Sequence, residues 1–187
     1  MPLPRRGFWY LRHGQTDWNA AGVSQGAVEV PLNETGRAQA RAAASILAGR
    51  GIVEIIASPM GRARETAEIV NQVLNLPLSF EPELREVMFG QQEGQKLAPW
   101  FQDWLDGKVT PPGAESFAEL SARAERAMRR VLARPGPVLI VAHGAIFRAI
   151  RGLMGIPFDT GSANGVPILC EPEGQGWRMT AVVEEFS

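Results

Sequence analysis

Three short apolar runs frame this chain. They are Gly7 to Leu11, Ile52 to Ala57 and Val138 to Ala142, each closed by a glycine, a proline or a polar break. Short continuous runs of this kind read as strands buried on both faces. Between them the apolar positions switch to helical spacing. Leu32-Asn33-Glu34-Thr35-Gly36 opens a helix that Asn33 or Thr35 can cap, Ala38 to Leu47 carries it, and Gly49 and Gly51 stop it. After Ser58-Pro59 a second helix is expected from Gly61 to Leu74, with Ala63, Ala67, Ile69, Val70 and Val73 available to pack. Ser116-Phe117-Ala118-Glu119 has capping-box spacing and starts a helix to about Leu132. Ala145 to Met154 reads as the last helix.

The remaining stretches are less regular. Gln15 to Pro31 is polar and glycine-rich and reads as an ordered loop, and Pro77 to Phe80 as a short strand. Glu81 to Pro112 is irregular, with Trp100, Phe101 and Trp104 marking a short covering helix. Val166 to Cys170 and Trp177 to Val183 read as two late strands of a hairpin across Glu171 to Gly176. Strands alternating with helices argue for a sheet covered on both faces. One domain over residues 1–187 is expected, with 81–112 as a segment over the substrate.

Composition narrows the class. The formal net charge is −1, so no nucleic-acid footprint or polybasic membrane contact is expected. One cysteine, Cys170, excludes an internal disulfide, and two histidines in the whole chain are a thin supply for a metal site. The start, Met1-Pro2-Leu3-Pro4-Arg5-Arg6, leads to an apolar run too short for a signal segment, and no run is long enough to span a membrane. A cytoplasmic protein, monomer or homodimer, is the default expectation.

Those two histidines hold the candidate chemistry. The first buried run ends in Arg12-His13-Gly14 and the third in His143-Gly144. In an open α/β sheet, ligands bind beyond the carboxyl ends of the strands. Both imidazoles would then enter one crevice. The exit of the second strand adds Ser58 and Arg62, and Leu84-Arg85-Glu86 adds a carboxylate. Arginine forks bind phosphate oxygens and keep their charge. Glycine after each histidine would let a ligand approach the backbone, and a helix N-terminus beyond Gly144 would add anion-favouring N–H groups. The set reads as a phosphate site in which a neutral histidine attacks phosphorus and a carboxylic acid protonates the leaving oxygen. Arg64, Arg123, Arg126, Arg129 and Arg130 are expected on solvated helix faces.

These residues resemble a known family, the histidine phosphatase superfamily or phosphoglycerate mutase-like proteins. The resemblance rests on Arg12-His13-Gly14-Gln15-Thr16 with Asn19, Gln25-Gly26, Pro31-Leu32-Asn33 with Gly36, Ser58-Pro59-Met60 with Arg62-Ala63 and Thr66-Ala67, Leu84-Arg85-Glu86 with Phe89-Gly90 and Glu93-Gly94, Glu115-Ser116, Val141-Ala142-His143-Gly144 and Asn164. It implies a three-layer α/β/α sandwich around a mostly parallel sheet. It implies His13 as the phosphorylated nucleophile, and Arg12, Arg62 and His143 as holders of the phosphoryl group. Glu86 would be proton donor and later base, with Asn19, Gln25, Gly26 and Gly144 touching phosphate or substrate. No metal or organic cofactor is implied. The chain departs from the family pattern at Val23, where an arginine is frequent, at Gln91-Gln92 and at Ala114. It lacks the basic, tyrosine-containing insertion of the mutases and has few arginines near the site. The expected activity is therefore hydrolysis of a small phosphate ester. A mutase or a phosphohistidine protein phosphatase or regulatory partner stands as the alternative.

Overall fold

The computed structural model describes residues 2–183, so Met1 and residues 184–187 of the expected domain lie outside the described residues. Six strands form one sheet in the order β3-β2-β4-β1-β5-β6. They are β1 (Phe8–Arg12), β2 (Glu54–Ala57), β3 (Leu78–Phe80), β4 (Val138–Ala142), β5 (Pro167–Glu173) and β6 (Gly176–Ala181). β1, β4, β2 and β3 run parallel, while β5 and β6 are antiparallel to their neighbours. The helices are α1 (Asp17–Ala21), α2 (Glu34–Leu47), α3 (Gly61–Leu74), α4 (Trp100–Leu105), α5 (Phe117–Leu132) and α6 (Gly144–Leu153).

The two-residue period of β1 explains the layers. Phe8 and Tyr10 join Ile140, Leu120, Met128, Phe147 and Ile150 under α5 and α6. Trp9 and Leu11 face the other way, with Ala43, Leu47, Ala67 and Val70 of α2 and α3. A parallel sheet needs both faces covered, and the apolar runs supply both. The result is the expected α/β/α sandwich. No helix among the described residues is long and apolar enough to cross a membrane.

The caps follow the expected chemistry. Asn33 caps α2 by accepting from the Gly36 N–H, and Ser116 and Glu119 complete a capping box on α5. Other details differ. The stretch from Gln15 contains α1, because Thr16 and Asn19 form a second capping box that composition alone hides. Val73 is exposed rather than packed. The late hairpin turns at Gly174-Gln175, later than expected, because β5 keeps pairing with β6 through Glu173.

Candidate active site

β1 and β4 are hydrogen-bonded neighbours in parallel register, Arg12 opposite Ala142, and the His13 N–H donates to the Ala142 carbonyl at 3.0 Å. Both strands therefore end at the same level, and the rings of His13 and His143 lie 5.3 Å apart. Beyond them is a cavity of about 210 Å³ lined by Arg12, His13, Asn19, Gln25, Gly26, Arg62, Glu86 and Gly144, among others. Residues from five separate stretches meet there, because four parallel strands deliver their exits to one edge.

His13 is oriented by its own backbone. Its Nδ1 lies 2.7 Å from the Gly14 carbonyl, which can only accept. Nδ1 therefore carries the hydrogen, and Nε2 keeps its lone pair. Burial first, then Arg12 and Arg62, hold its pKa well below the ordinary 6.5. The ring stays neutral, as an attacking nitrogen must. His143 is fully buried and stands behind the cavity wall. Its Nε2 meets Ser58 Oγ at 2.7 Å, and the Tyr10 hydroxyl donates to its carbonyl at 2.7 Å. Burial, Arg62 and His13 lower its pKa well below 6.5 too.

The two arginines are held by loop carbonyls. Arg62 donates to Gly26 and Val28 oxygens at 2.8 Å each, and Arg12 to the Ser162 oxygen at 2.6 Å. Arg12 Nε, Arg62 Nε and His143 Nδ1 are buried without a hydrogen-bond partner among the described residues. An unmet buried polar group costs about 1–3 kcal/mol. Two of these nitrogens belong to arginines that line the cavity, which fits an acceptor-rich anion such as a phosphoryl group, and His143 Nδ1 lies behind its wall.

Several expected residues serve differently from the sequence reading. A Cβ on Gly14 would sit 2.3 Å from the Gly36 oxygen. Gly14 therefore makes room for the first turn of α2, not for a ligand. A Cβ on Gly144 would meet the Arg12 guanidinium at 3.2 Å, so this glycine seats an arginine. The α6 N-terminus does engage an acidic group, but that group is the Glu86 carboxyl. Its Oε2 accepts from Ala145 N at 2.9 Å, and its Oε1 from Ile146 N and Val87 N at 3.0 Å each. Oε2 takes a single bond, which leaves its second site free to carry a proton or to accept from an O–H in the cavity. Asn19 spends its side-chain oxygen on Thr16 N and Asn164 Nδ2, which orients it on the cavity wall. Gln25 accepts from the Thr16 hydroxyl at 2.6 Å.

The aromatic cluster divides. Phe101, with Phe89 and Leu97, lines the cavity, whereas Trp104 is fully buried in the core and gives its N–H to the Glu115 carbonyl. Val23 lies in the cavity wall as well. One arginine escapes the sequence reading and another contradicts it. Arg148, on α6, lines the cavity with its guanidinium over Phe101, so the site does hold a further cation. Its place on the helix after His143 was the available signal, one turn beyond Gly144. Arg123 is buried rather than solvated, bonded to Glu115. The Glu115–Arg123 spacing along a capped helix start was the clue there. Arg64 is exposed as expected, and Arg126, Arg129 and Arg130 pair with glutamates at the surface or part-buried.

The chain is similar to several known proteins. A curated relative, the probable phosphoglycerate mutase GpmB of Photorhabdus laumondii, is 36% identical over 166 residues, spanning 80% of this chain and 75% of that protein. The uncharacterized phosphatase PhoE of Bacillus subtilis is 37% identical over 142 residues, covering 75% and 72% of the two chains. The solved mycobacterial glucosyl-3-phosphoglycerate phosphatase in complex with VO3 superposes with a TM-score of 0.81 at 28% identity, over 97% of this chain and all of that one (100%). A putative alpha-ribazole-5'-P phosphatase from Escherichia coli gives a TM-score of 0.81 at 25% identity, over 97% of each chain. The sequence profile of the Histidine phosphatase superfamily (branch 1) matches residues 8–183, and the chain belongs to that superfamily.

Proposed function

We propose that this protein is a metal-independent phosphomonoester hydrolase that works through a phosphohistidine on His13. The observation that carries the reading is the tautomer of His13: a neutral ring with Nε2 unprotonated, lining a cavity into which Arg12 and Arg62 also project. Nε2 attacks phosphorus in line, and the bond from phosphorus to the leaving oxygen breaks. Glu86, in its protonated form, gives its proton to that oxygen. Water then attacks the phosphohistidine while Glu86 takes a proton from it, and phosphate departs with His13 restored. Arg12, Arg62 and His143 hold the charge that spreads over the phosphoryl oxygens. Asn19, Gln25, Gly26 and Gly144 form the walls around it.

A cavity of about 210 Å³ under Phe89, Leu97 and Phe101 favours a small metabolite over a protein surface. Arg148 at its wall favours a leaving group with a negative charge. The names of the phosphatases to which this fold is similar support hydrolysis. The name of the Photorhabdus relative supports the second reading, transfer of the phosphoryl group to another acceptor.

Phosphate release from p-nitrophenyl phosphate and a panel of small esters, with EDTA present, tests the proposal. Turnover that survives EDTA and vanishes in His13→Ala is expected. Turnover that EDTA abolishes, or that His13→Ala retains, would overturn it. Interconversion of phosphoglycerates with a bisphosphate primer, without net phosphate release, would install the mutase reading instead.

A further inference from the structure

Arg123 is 3% exposed, on a helix whose neighbouring arginines reach solvent. Its guanidinium spends all five N–H groups. Nε and Nη2 grip the two carboxylate oxygens of Glu115, each at 2.8 Å. Nη1 donates to the carbonyls of Glu83 at 2.7 Å and Arg85 at 2.8 Å, and Nη2 also to that of Glu86 at 3.4 Å. Three bonds thus converge on the four-residue stretch that carries Glu86.

A buried ion pair is by itself weak evidence of stabilisation, because both charges lose water. Here the carboxylate partner leads elsewhere. The Glu115 N–H donates to the Met88 carbonyl at 2.7 Å, and its own carbonyl accepts from Trp104. Arg123 and Glu115 therefore clamp the backbone on both sides of Glu86, from 83 to 88, and tie it to α4. The side chain of Glu86 is fixed at its other end by the α6 N-terminus. One end of Glu86 is set by α5 and the other by α6, and these two helices pack together on one face of the sheet. No other group among the described residues holds the carbonyls of 83, 85 and 86 from side chains.

We propose that Arg123, with Glu115, is a positioning residue for proton transfer: it sets the reach of the Glu86 carboxyl to the leaving oxygen. The inference rests on the reading of Glu86 as the proton donor. A shift of 1 Å in a catalytic group can cost about 100-fold. Lysine can replace the clamp only in part, since its three donors radiate from one nitrogen and cannot form the fork.

The test compares two esters. The p-nitrophenolate of p-nitrophenyl phosphate leaves with little help, whereas the alkoxide of glycerol 3-phosphate must be protonated as it leaves. Glu86→Gln should lower kcat/KM for the alkyl ester about 100-fold more than for the aryl ester. Arg123→Met and Glu115→Gln should lower the same alkyl-to-aryl ratio of kcat/KM by about tenfold, with Arg123→Lys in between. A purely structural clamp would lower both esters by one factor, matching any loss of folded protein seen in the melting curve. An unchanged ratio in Arg123→Lys and Glu115→Gln, while Glu86→Gln shows the selective loss, would overturn the inference and spare the general acid. No selective loss in Glu86→Gln would instead remove the proton-donor role, and the positioning role with it. Glu115→Gln keeps the side-chain volume and serves if Arg123→Met does not fold.

Discussion

The ends of β1 and β4 carry the same dipeptide, His-Gly, one strand apart in the sheet, yet they do different work. After β4 the helix starts at once, and its first N–H groups are taken by Glu86. After β1 the chain turns under α2 instead, where Gly14 and Gly36 touch backbone to backbone. One histidine is left at the cavity with an open Nε2. The other is walled in, with Nε2 on Ser58 and Nδ1 without a partner. Equal sequence settings gave unequal rings because each ring meets a different partner: the carbonyl of the next residue for His13, and Ser58 from the exit of β2 for His143.

The largest break in this comparison should come from the rings themselves. On the proposed mechanism His13→Ala loses the bond-forming nitrogen, and turnover should fall by about 10⁴-fold or more. On the same mechanism His143→Ala removes a ring assigned to hold the phosphoryl group and should cost about 10²–10³-fold. Steady-state assays of both variants, with acid-labile phosphate incorporation measured after an alkaline quench, would show incorporation lost only in the first. Equal losses in both would erase the distinction.

The glycines separate the strand ends in stability. Gly14→Ala drives a methyl into the Gly36 backbone at 2.3 Å, which only a backbone shift relieves. Thermal unfolding should show a loss of about 2–4 kcal/mol. Gly144→Ala meets the side chain of Arg12 at 3.2 Å, and a guanidinium can move. Its stability cost should stay near 1 kcal/mol, with a larger effect on KM.

The smallest effect sharpens the comparison through pH. Both histidine pKa values are depressed by burial and by the neighbouring cations, below the ordinary 6.5. The native state thus binds fewer protons than the unfolded chain just below pH 6.5, so stability falls as the pH drops from there and does not change on their account above it. Because the chain has two histidines, an NMR titration gives two ring signals. Both should keep neutral-form shifts down through pH 6.5, and Arg62→Met should raise both midpoints, since that guanidinium disfavours each imidazolium. A midpoint at or above 6.5 in the native protein would contradict the depression.

Local rules made much of the fold legible. Residues 138–142 and 61–74 form the strand and helix expected of them, because continuous apolar runs and amphipathic spacing are strong signals. The short helix after Thr16 was hidden by a glycine-rich composition, although its capping pair was present. The core set of Arg12, His13, Arg62, Glu86 and His143 was legible as strand-end chemistry, and four of the five line the cavity.

By itself, the sequence determined the elements, the two faces of the sheet and the residues whose chemistry could meet. Those follow from periodicity and capping, which act within a few residues. The tertiary structure alone decided the roles that depend on distant neighbours. Arg123 looks like a surface residue on its own helix, yet it is buried because the 83–86 carbonyls need donors where α5 covers them. Arg148 became a cavity wall because α6 turns it toward Phe101. Gly14 and Gly144 follow the same residue type, yet each makes room for a different part of the protein. Contacts between residues far apart in the chain leave no period to read, so only the packed molecule shows them.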